Sequence, residues 1–274
     1  RQRREYVLPA SLRSFVPIEP NPYIVGNPIR TPAMFFGRED DFNYLKTKLE
    51  GAAQGGIVLV LCGERRAGKS SILYQVLNGR LGESFIPVFV DLQEMVIANE
   101  HEFFGRIARL IGESVSEASD TSLSEHSFST RELKSFQFSD TSKNAYHLFL
   151  DFLNEVLSGI GERRLILLVD EYELLETKVE DKKLSKEIFT FFASLIDNQE
   201  RLSFVFTGSR RLEERDRKYW REFLRRSLFR KVSFLSERDS KRLITEPVKD
   251  KLVFGRGVEN AIYRLTSGHP FYTH

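Results

Sequence analysis

Cysteine occurs once in this chain of 274 residues, tryptophan once and methionine twice. The lone thiol, Cys62, excludes an internal disulfide and fits a reducing compartment, so a cytoplasmic location is expected. Long apolar runs are missing as well. The longest, Ile57–Cys62 and Leu165–Val169, fall far short of the ~20 residues that span a bilayer, so no membrane partner is expected. There is little excess charge of either sign. Lys and Arg number 41 against 39 Asp and Glu, a net charge of +2, and bulk electrostatics therefore argue for neither nucleic acid nor membrane. No hydrophobic segment follows the basic opening Arg1-Gln2-Arg3-Arg4, so no signal peptide is read there. The chain opens without methionine and stops at His274 in what reads as an early helical turn, and we take it as a piece of a longer protein.

Apolar material is plentiful: 41% of residues are hydrophobic and 23 are Phe. That suffices for a core without metal or disulfide, and the length suits one large α/β domain with an appendage. Most of the nine prolines fall between Pro9 and Pro32. Fixed φ and missing donors make residues 1–35 an extended arm laid over a surface. Next comes a helix with Phe42, Leu45 and Leu49 on one face and Glu39, Asp40 and Asp41 at its start.

Ile57-Val58-Leu59-Val60-Leu61 is continuous apolar sequence of strand length, as in a strand of a parallel sheet buried on both faces. Further strands are read at Phe85–Val90, Leu165–Val169, Leu202–Phe206 and Lys231–Leu235. Helical periodicity marks Ile72–Leu77, Ala145–Leu157 and the stretch holding Leu184, Ile188, Phe192, Leu195 and Ile196. Residues 112–142, rich in Ser, Thr and charge, read as a surface insertion. Helices at Glu237–Thr245 and Val258–Thr266 close the chain. Strands alternating with helices predict an α/β fold, a doubly wound parallel sheet over residues 36–235 with a small helical lid from 236 to 274.

Gly63-Glu64-Arg65-Arg66-Ala67-Gly68-Lys69-Ser70 fits the full phosphate-loop pattern and lies between a buried strand and a helix, the context the motif requires. Glycines let successive N–H groups curl inward, and the helix N-terminus adds its positive end. Ser71, next in the helix, is taken with the loop as nucleotide-binding. Lys69 is expected on the β- and γ-phosphates and the Ser70 hydroxyl on Mg²⁺. The apolar strand Leu165–Val169 delivers Asp170 to its carboxyl end, where it can hold the magnesium, and sets Glu171 to polarise the attacking water. The same acids could instead cap the following helix. No Asn-Lys-x-Asp and no Asp-x-x-Gly follows, so ATP and ADP are favoured over guanine nucleotides. The fourth strand should lie beside the phosphate-loop strand in this ASCE-type sheet. Its tip offers Ser209 and Arg210 to the γ-phosphate, with a solvated loop arginine as the competing reading.

With these motifs in place the chain resembles the STAND branch of P-loop ATPases, near the archaeal-ATPase and origin-recognition lineage of the AAA+ group. Asn21-Pro22-Tyr23, Gly26-Asn27-Pro28 and Phe35-Phe36-Gly37-Arg38-Glu39 carry the likeness, as do Phe234-Leu235-Ser236, Leu243–Val248 and Leu265-Thr266-Ser267-Gly268-His269-Pro270. The resemblance implies that Phe36, Gly37 and Arg38 lie against adenine and ribose and that Pro270 packs near the base. It further implies a slow ATPase whose nucleotide state controls conformation and homo-oligomerisation, with sensor and effector parts elsewhere in the full chain, in bacterial defence or stress signalling. Two other readings stand beside it. One is an origin-recognition-like or loader-type ATPase that uses the basic stretch Arg210 to Lys231 on DNA, with Tyr219 and Trp220 to stack. There a solvated helix face, interrupted by Glu213, Glu214, Asp216 and Glu222, outweighs DNA binding, and Arg225 or Arg226 could equally be an intersubunit arginine finger. The other is a nucleotide-holding scaffold that never turns over, against which Glu171 argues.

Overall fold

The computed structural model describes residues 18–23, 26–52, 55–120, 138–208, 219–220 and 227–274. Five strands, β1 (Val58–Cys62), β2 (Phe85–Asp91), β3 (Arg164–Asp170), β4 (Leu202–Gly208) and β5 (Ser227–Lys231), form one sheet in the order β2-β3-β4-β1-β5. Every pairing is parallel, and β4 separates β1 from β3. The expected doubly wound α/β fold is present, with β4 beside the phosphate-loop strand.

Side-chain alternation divides the sheet into two faces. Leu59, Leu61, Ile166, Leu168 and Val205 pack on α1 (Glu39–Gly51) and α2 (Lys69–Leu77) through Phe42, Leu45, Leu49, Ile72, Leu73 and Val76. Val58, Val60, Leu165, Leu167, Val169, Phe204 and Phe206 face the other way. There they meet α3 (Glu100–Asp120), α4 (Ala145–Gly159) and α6 (Glu187–Asn198), the last preceded by a short α5 (Leu174–Glu180). Much of the phenylalanine is on this second face, where Phe104 stacks on Phe149 at 4.7 Å between ring centroids. Asn144 starts α4 by accepting from the amides of Tyr146 and His147, an N-cap that occupies otherwise orphaned donors.

Beyond β5 come α7 (Glu237–Thr245), a 3-10 turn at Glu246–Val248, α8 (Val258–Thr266) and α9 (Pro270–Thr273). Ser236 caps α7 by accepting from the Asp239 amide. The described part of the Pro-rich arm crosses the body. The Tyr23 hydroxyl donates to the Ile244 carbonyl at 2.5 Å and the Ile29 amide to Ser71 Oγ at 2.9 Å. Gln75 and Asn78 donate to the Arg30 carbonyl at 3.4 and 2.6 Å.

Four expectations are corrected. The fifth strand is Ser227–Lys231, not Lys231–Leu235; at the sheet edge its burial is patchy, so the more apolar sequence after it misled. Residues 112–120 are not part of an insertion but the end of α3, where Ile111 and Val115 are buried. Trp220 is not an exposed stacking platform: it is fully buried, 5.1 Å from Tyr172 and 4.7 Å from Phe189 between ring centroids. Arg230, counted in the basic stretch, pairs with Asp41 at 2.7 Å. Residues 121–137 of the suspected insertion and most of the basic stretch lie outside the described residues, while 138–142 are turns and irregular chain leading into α4. Among the described residues no helix is long and apolar enough to cross a membrane.

Candidate functional site

The carboxyl ends of β1, β3 and β4 meet at one edge of the sheet, where parallel α/β sheets bind their ligands. After β1 the chain curls over Gly63–Ser70 into α2. Gly68 caps that helix at φ 92° and Arg66 adopts φ 63°, left-handed values of the kind found where a loop curls into an anion-binding turn. Gly63 is required by crowding, since a Cβ there would lie 2.6 Å from the Val232 carbonyl oxygen.

Within the loop, Glu64 and Arg65 are exposed, Ala67 is buried and Ser70 is half-buried. Lys69 is buried, and its amine donates to the carbonyls of Gly63 at 3.1 Å and Glu64 at 2.8 Å. Burial pulls its pKa below the usual lysine value, while Glu171, Glu173 and Asp170 oppose that shift. The Ser71 hydroxyl, taken at first with the nucleotide residues, is engaged by the Ile29 amide of the arm.

Asp170 closes β3 and is buried. Its Oδ1 accepts from the Thr207 hydroxyl and from the Glu171 amide, the latter at 3.2 Å. Glu171 follows at φ 54°, an unusual conformation for a residue with a side chain and one that clusters at functional sites. Tyr172 is buried and its amide donates to the Thr207 carbonyl at 3.1 Å. The turn therefore buries Asp170 and Tyr172 and leaves the Glu171 carboxylate exposed between them. Crowding by nearby protein, then Glu173 and Asp170, raises the pKa of Glu171, and Lys69 and Arg65 partly offset this. At the tip of β4, Gly208 has no room for a side chain, because a Cβ would collide with Tyr172 and Glu173.

Residues remote in sequence frame the loop from the other side. Arg38, at φ 76°, donates to the carbonyls of Ala67 at 2.8 Å and Ser233 at 2.6 Å and lies 3.5 Å from Asp41. Gly37, at φ 71°, has Asp239 against it. Phe36 packs with Leu235 and Leu243 beneath the Arg242 guanidinium, 5.5 Å from the ring centroid. A Cβ on Gly68 would sit 3.9 Å from Arg38 and 4.0 Å from Pro270, so these two residues converge on the loop. Arg66 lies over the ring of Phe271 at 3.9 Å.

Ser209, Arg210 and Arg211 lie outside the described residues, as do Arg225 and Arg226. Sequence reading missed Thr207, which is fully buried at the β4 tip. The available signal was its phase: Thr207 alternates with Val205, and β4 runs in register with β3, which ends at Asp170. A polar residue at that point extends an apolar stripe into the site. Phe271 was missed because nothing local marks it.

The residues fit a magnesium nucleotide. Among the described residues no cluster of three or more His, Cys, Asp or Glu could hold a metal alone. Magnesium binds through one or two carboxylates together with substrate phosphates, which suits one buried aspartate in electrostatic reach of Lys69 at the loop.

A protein-family model described as an AAA domain matches residues 53–215, more than half of the chain. No curated protein matches. Among solved structures, a Walker-type ATPase of Pyrococcus abyssi aligns at 19% identity and TM-score 0.59, covering 90% of this chain and 68% of that one. The Aeropyrum pernix ORC1 protein, solved in complex with DNA, aligns at 16% identity and TM-score 0.54 over 88% of this chain and 58% of its own. The Aeropyrum pernix ORC2 protein, solved as ADPNP–ADP complexes, aligns at 12% identity and TM-score 0.53 over 92% and 62%. The present chain thus spans about three-fifths of the two Aeropyrum proteins.

Proposed function

This chain belongs to the AAA domain family, and from that premise we propose that it binds ATP with magnesium and hydrolyses it slowly, its nucleotide state setting the C-terminal helices as a lid. The observation that carries this reading is the meeting of Lys69, Asp170 and Glu171 at the carboxyl ends of β1 and β3, with the amide-lined loop between them.

The chemistry follows from these side chains. Backbone amides of the loop and the Lys69 ammonium, released from the Gly63 and Glu64 carbonyls, bind the β- and γ-phosphate oxygens and stabilise charge that builds on them during transfer. Ser70 and Asp170 would hold the magnesium, which would supply charge neutralisation at the phosphates. Glu171 orients the attacking water and accepts its proton, and a raised pKa strengthens that role. Phe36, Gly37, Arg38 and Pro270 border the base and ribose in this reading, which the convergence of Arg38 and Pro270 on Gly68 supports. Arg210 remains a candidate for the γ-phosphate from the β4 side.

For the biological setting, the origin-recognition-like reading is better supported than the STAND signalling switch. Its support is fold-level likeness to the Aeropyrum ORC1 and ORC2 proteins over about nine-tenths of this chain. DNA and further copies of the chain are accordingly the partners proposed. The buried Trp220 and the paired Arg230 mean that DNA contact would rely on other residues.

Titration with ATP, ADP and GTP in magnesium, beside Lys69→Ala and Glu171→Gln, tests the core reading. We expect adenine-selective binding that Lys69→Ala removes, and turnover that Glu171→Gln removes while binding persists. Absence of nucleotide binding would overturn it, and binding without turnover would favour a scaffold. Duplex DNA binding that weakens steeply with salt would support the origin-recognition-like setting; no binding at low salt would end it.

A further inference from the structure

We propose that Thr207 is a positioning residue that fixes both acids of the site, holding Asp170 with its hydroxyl and the turn after Glu171 with its carbonyl. The inference rests on the ATPase reading above and adds a residue to that site.

Thr207 is fully buried at the end of β4. Its Oγ1 donates to Asp170 Oδ1, and its carbonyl accepts from the Tyr172 amide at 3.1 Å. One β4 residue therefore grips the chain on either side of Glu171. The Glu171 amide also donates to Asp170 Oδ1 at 3.2 Å. With its flanking residues pinned, Glu171 is held at φ 54°, a conformation that persists only where surroundings enforce it.

The hydroxyl has a second consequence. Both donors fall on the same oxygen of Asp170, which fixes the rotation of the carboxylate and with it the direction in which it could meet a cation. Partners that orient a ligating carboxylate in this way commonly matter 10–100-fold for metal affinity or activity. A buried strand could accept valine here with equal ease, since valine has the same branched shape. Only the hydroxyl distinguishes threonine, and among the described residues it is Asp170 that receives it.

The test compares the native chain with Thr207→Val and Thr207→Ser. Thermal melts first establish that each variant folds. Three readouts follow: amide hydrogen exchange at Glu171 and Tyr172 in nucleotide-free protein, Mg²⁺ dependence of ATP binding set against ATP binding in EDTA, and kcat against KM. Thr207→Val should speed exchange at the Glu171 amide, raise the Mg²⁺ half-saturation by about 10–100-fold and lower kcat. Binding of ATP in EDTA should not change. Thr207→Ser should restore all three. Native exchange and native Mg²⁺ dependence in Thr207→Val would overturn the proposal, and so would a Thr207→Ser variant as impaired as Thr207→Val. If the native chain binds no nucleotide, the ATPase reading fails by itself, and the exchange comparison still decides whether the hydroxyl holds the turn.

Discussion

The body of the molecule and its C-terminal helices meet at the phosphate loop, and they are built on different principles. In the body, β1, β3 and β4 are buried almost end to end, and Leu45, Leu49, Phe204 and Phe206 have essentially no exposure. In the C-terminal helices, α8 buries none of its residues, Leu265 is 87% exposed and Tyr272 67%. The body is held by its own core. Among the described residues only α7 shares a small core with the body, Leu243 against Phe36 and Leu235; other links are Arg66 on Phe271, the Leu235 amide on the Gly268 carbonyl at 2.8 Å, and Tyr23 on Ile244. Elements that must open and close are drawn from the weakly held parts of a fold. Here the tightly packed part carries the loop, Asp170 and Glu171 together with Phe36, Gly37 and Arg38, and the C-terminal helices contribute Pro270 beside Gly68.

The contrast is broken most directly by truncating one side chain on each side of it. Phe206→Ala should lower unfolding free energy by about 3–5 kcal/mol, because it removes a buried ring and leaves a cavity. Leu265→Ala should stay within about 0.5 kcal/mol. Denaturant unfolding measures both, and equal losses would mean that the lid is as integral as the sheet.

Next in size is Lys69→Ala. It removes a charged donor from the phosphates and should weaken MgATP binding by about 1.5–3 kcal/mol, read by calorimetric titration. Stability should not fall, since the native fold carries the penalty of burying that ammonium.

Two glycines sharpen the comparison at the level of the backbone. Gly268 and Gly26 both have positive φ, 76° and 93°, but only Gly268 has an obstacle, the Leu235 carbonyl. Gly268→Ala should cost about 1–3 kcal/mol, expressed as faster hydrogen exchange in α7 and α9 with the sheet still protected. Gly26→Ala should leave those helices unaffected.

The smallest effect expected is that of Phe271→Leu, which keeps apolar bulk and loses the ring under Arg66. A cation–π contact is worth about 0.5–2 kcal/mol. The variant should loosen α9 from the loop, seen as a changed distance between fluorophores on α2 and α9, without moving the melting transition of the body.

The division between body and lid also tracks what was legible beforehand. The helices Glu237–Thr245 and Val258–Thr266 were readable to the residue, because caps and apolar spacing are local signals. β1, β3 and β4 were readable within two residues at each end, because strands buried on both faces are continuous apolar runs. β5 was misplaced because an edge strand lacks that signature. Part of α3 was taken for an insertion because its polar tail outweighed Ile111 and Val115. Thr207 was overlooked because one threonine in a strand is ordinary. Its meaning comes from register with a strand more than thirty residues away.

The sequence by itself determined the phosphate loop, the Asp170–Glu171 pair and the parallel α/β class. Each is a property of contiguous residues: amides curl where glycine permits it, and an apolar run forms a buried strand. Tertiary structure alone decided that Thr207 grips Asp170, that Arg66 meets Phe271, that Arg38 and Pro270 converge on Gly68, and that Ser71 serves the arm. Those contacts depend on how strands pair and how the chain returns across the loop. That geometry is set by packing of the whole core, and no local stretch of sequence contains it.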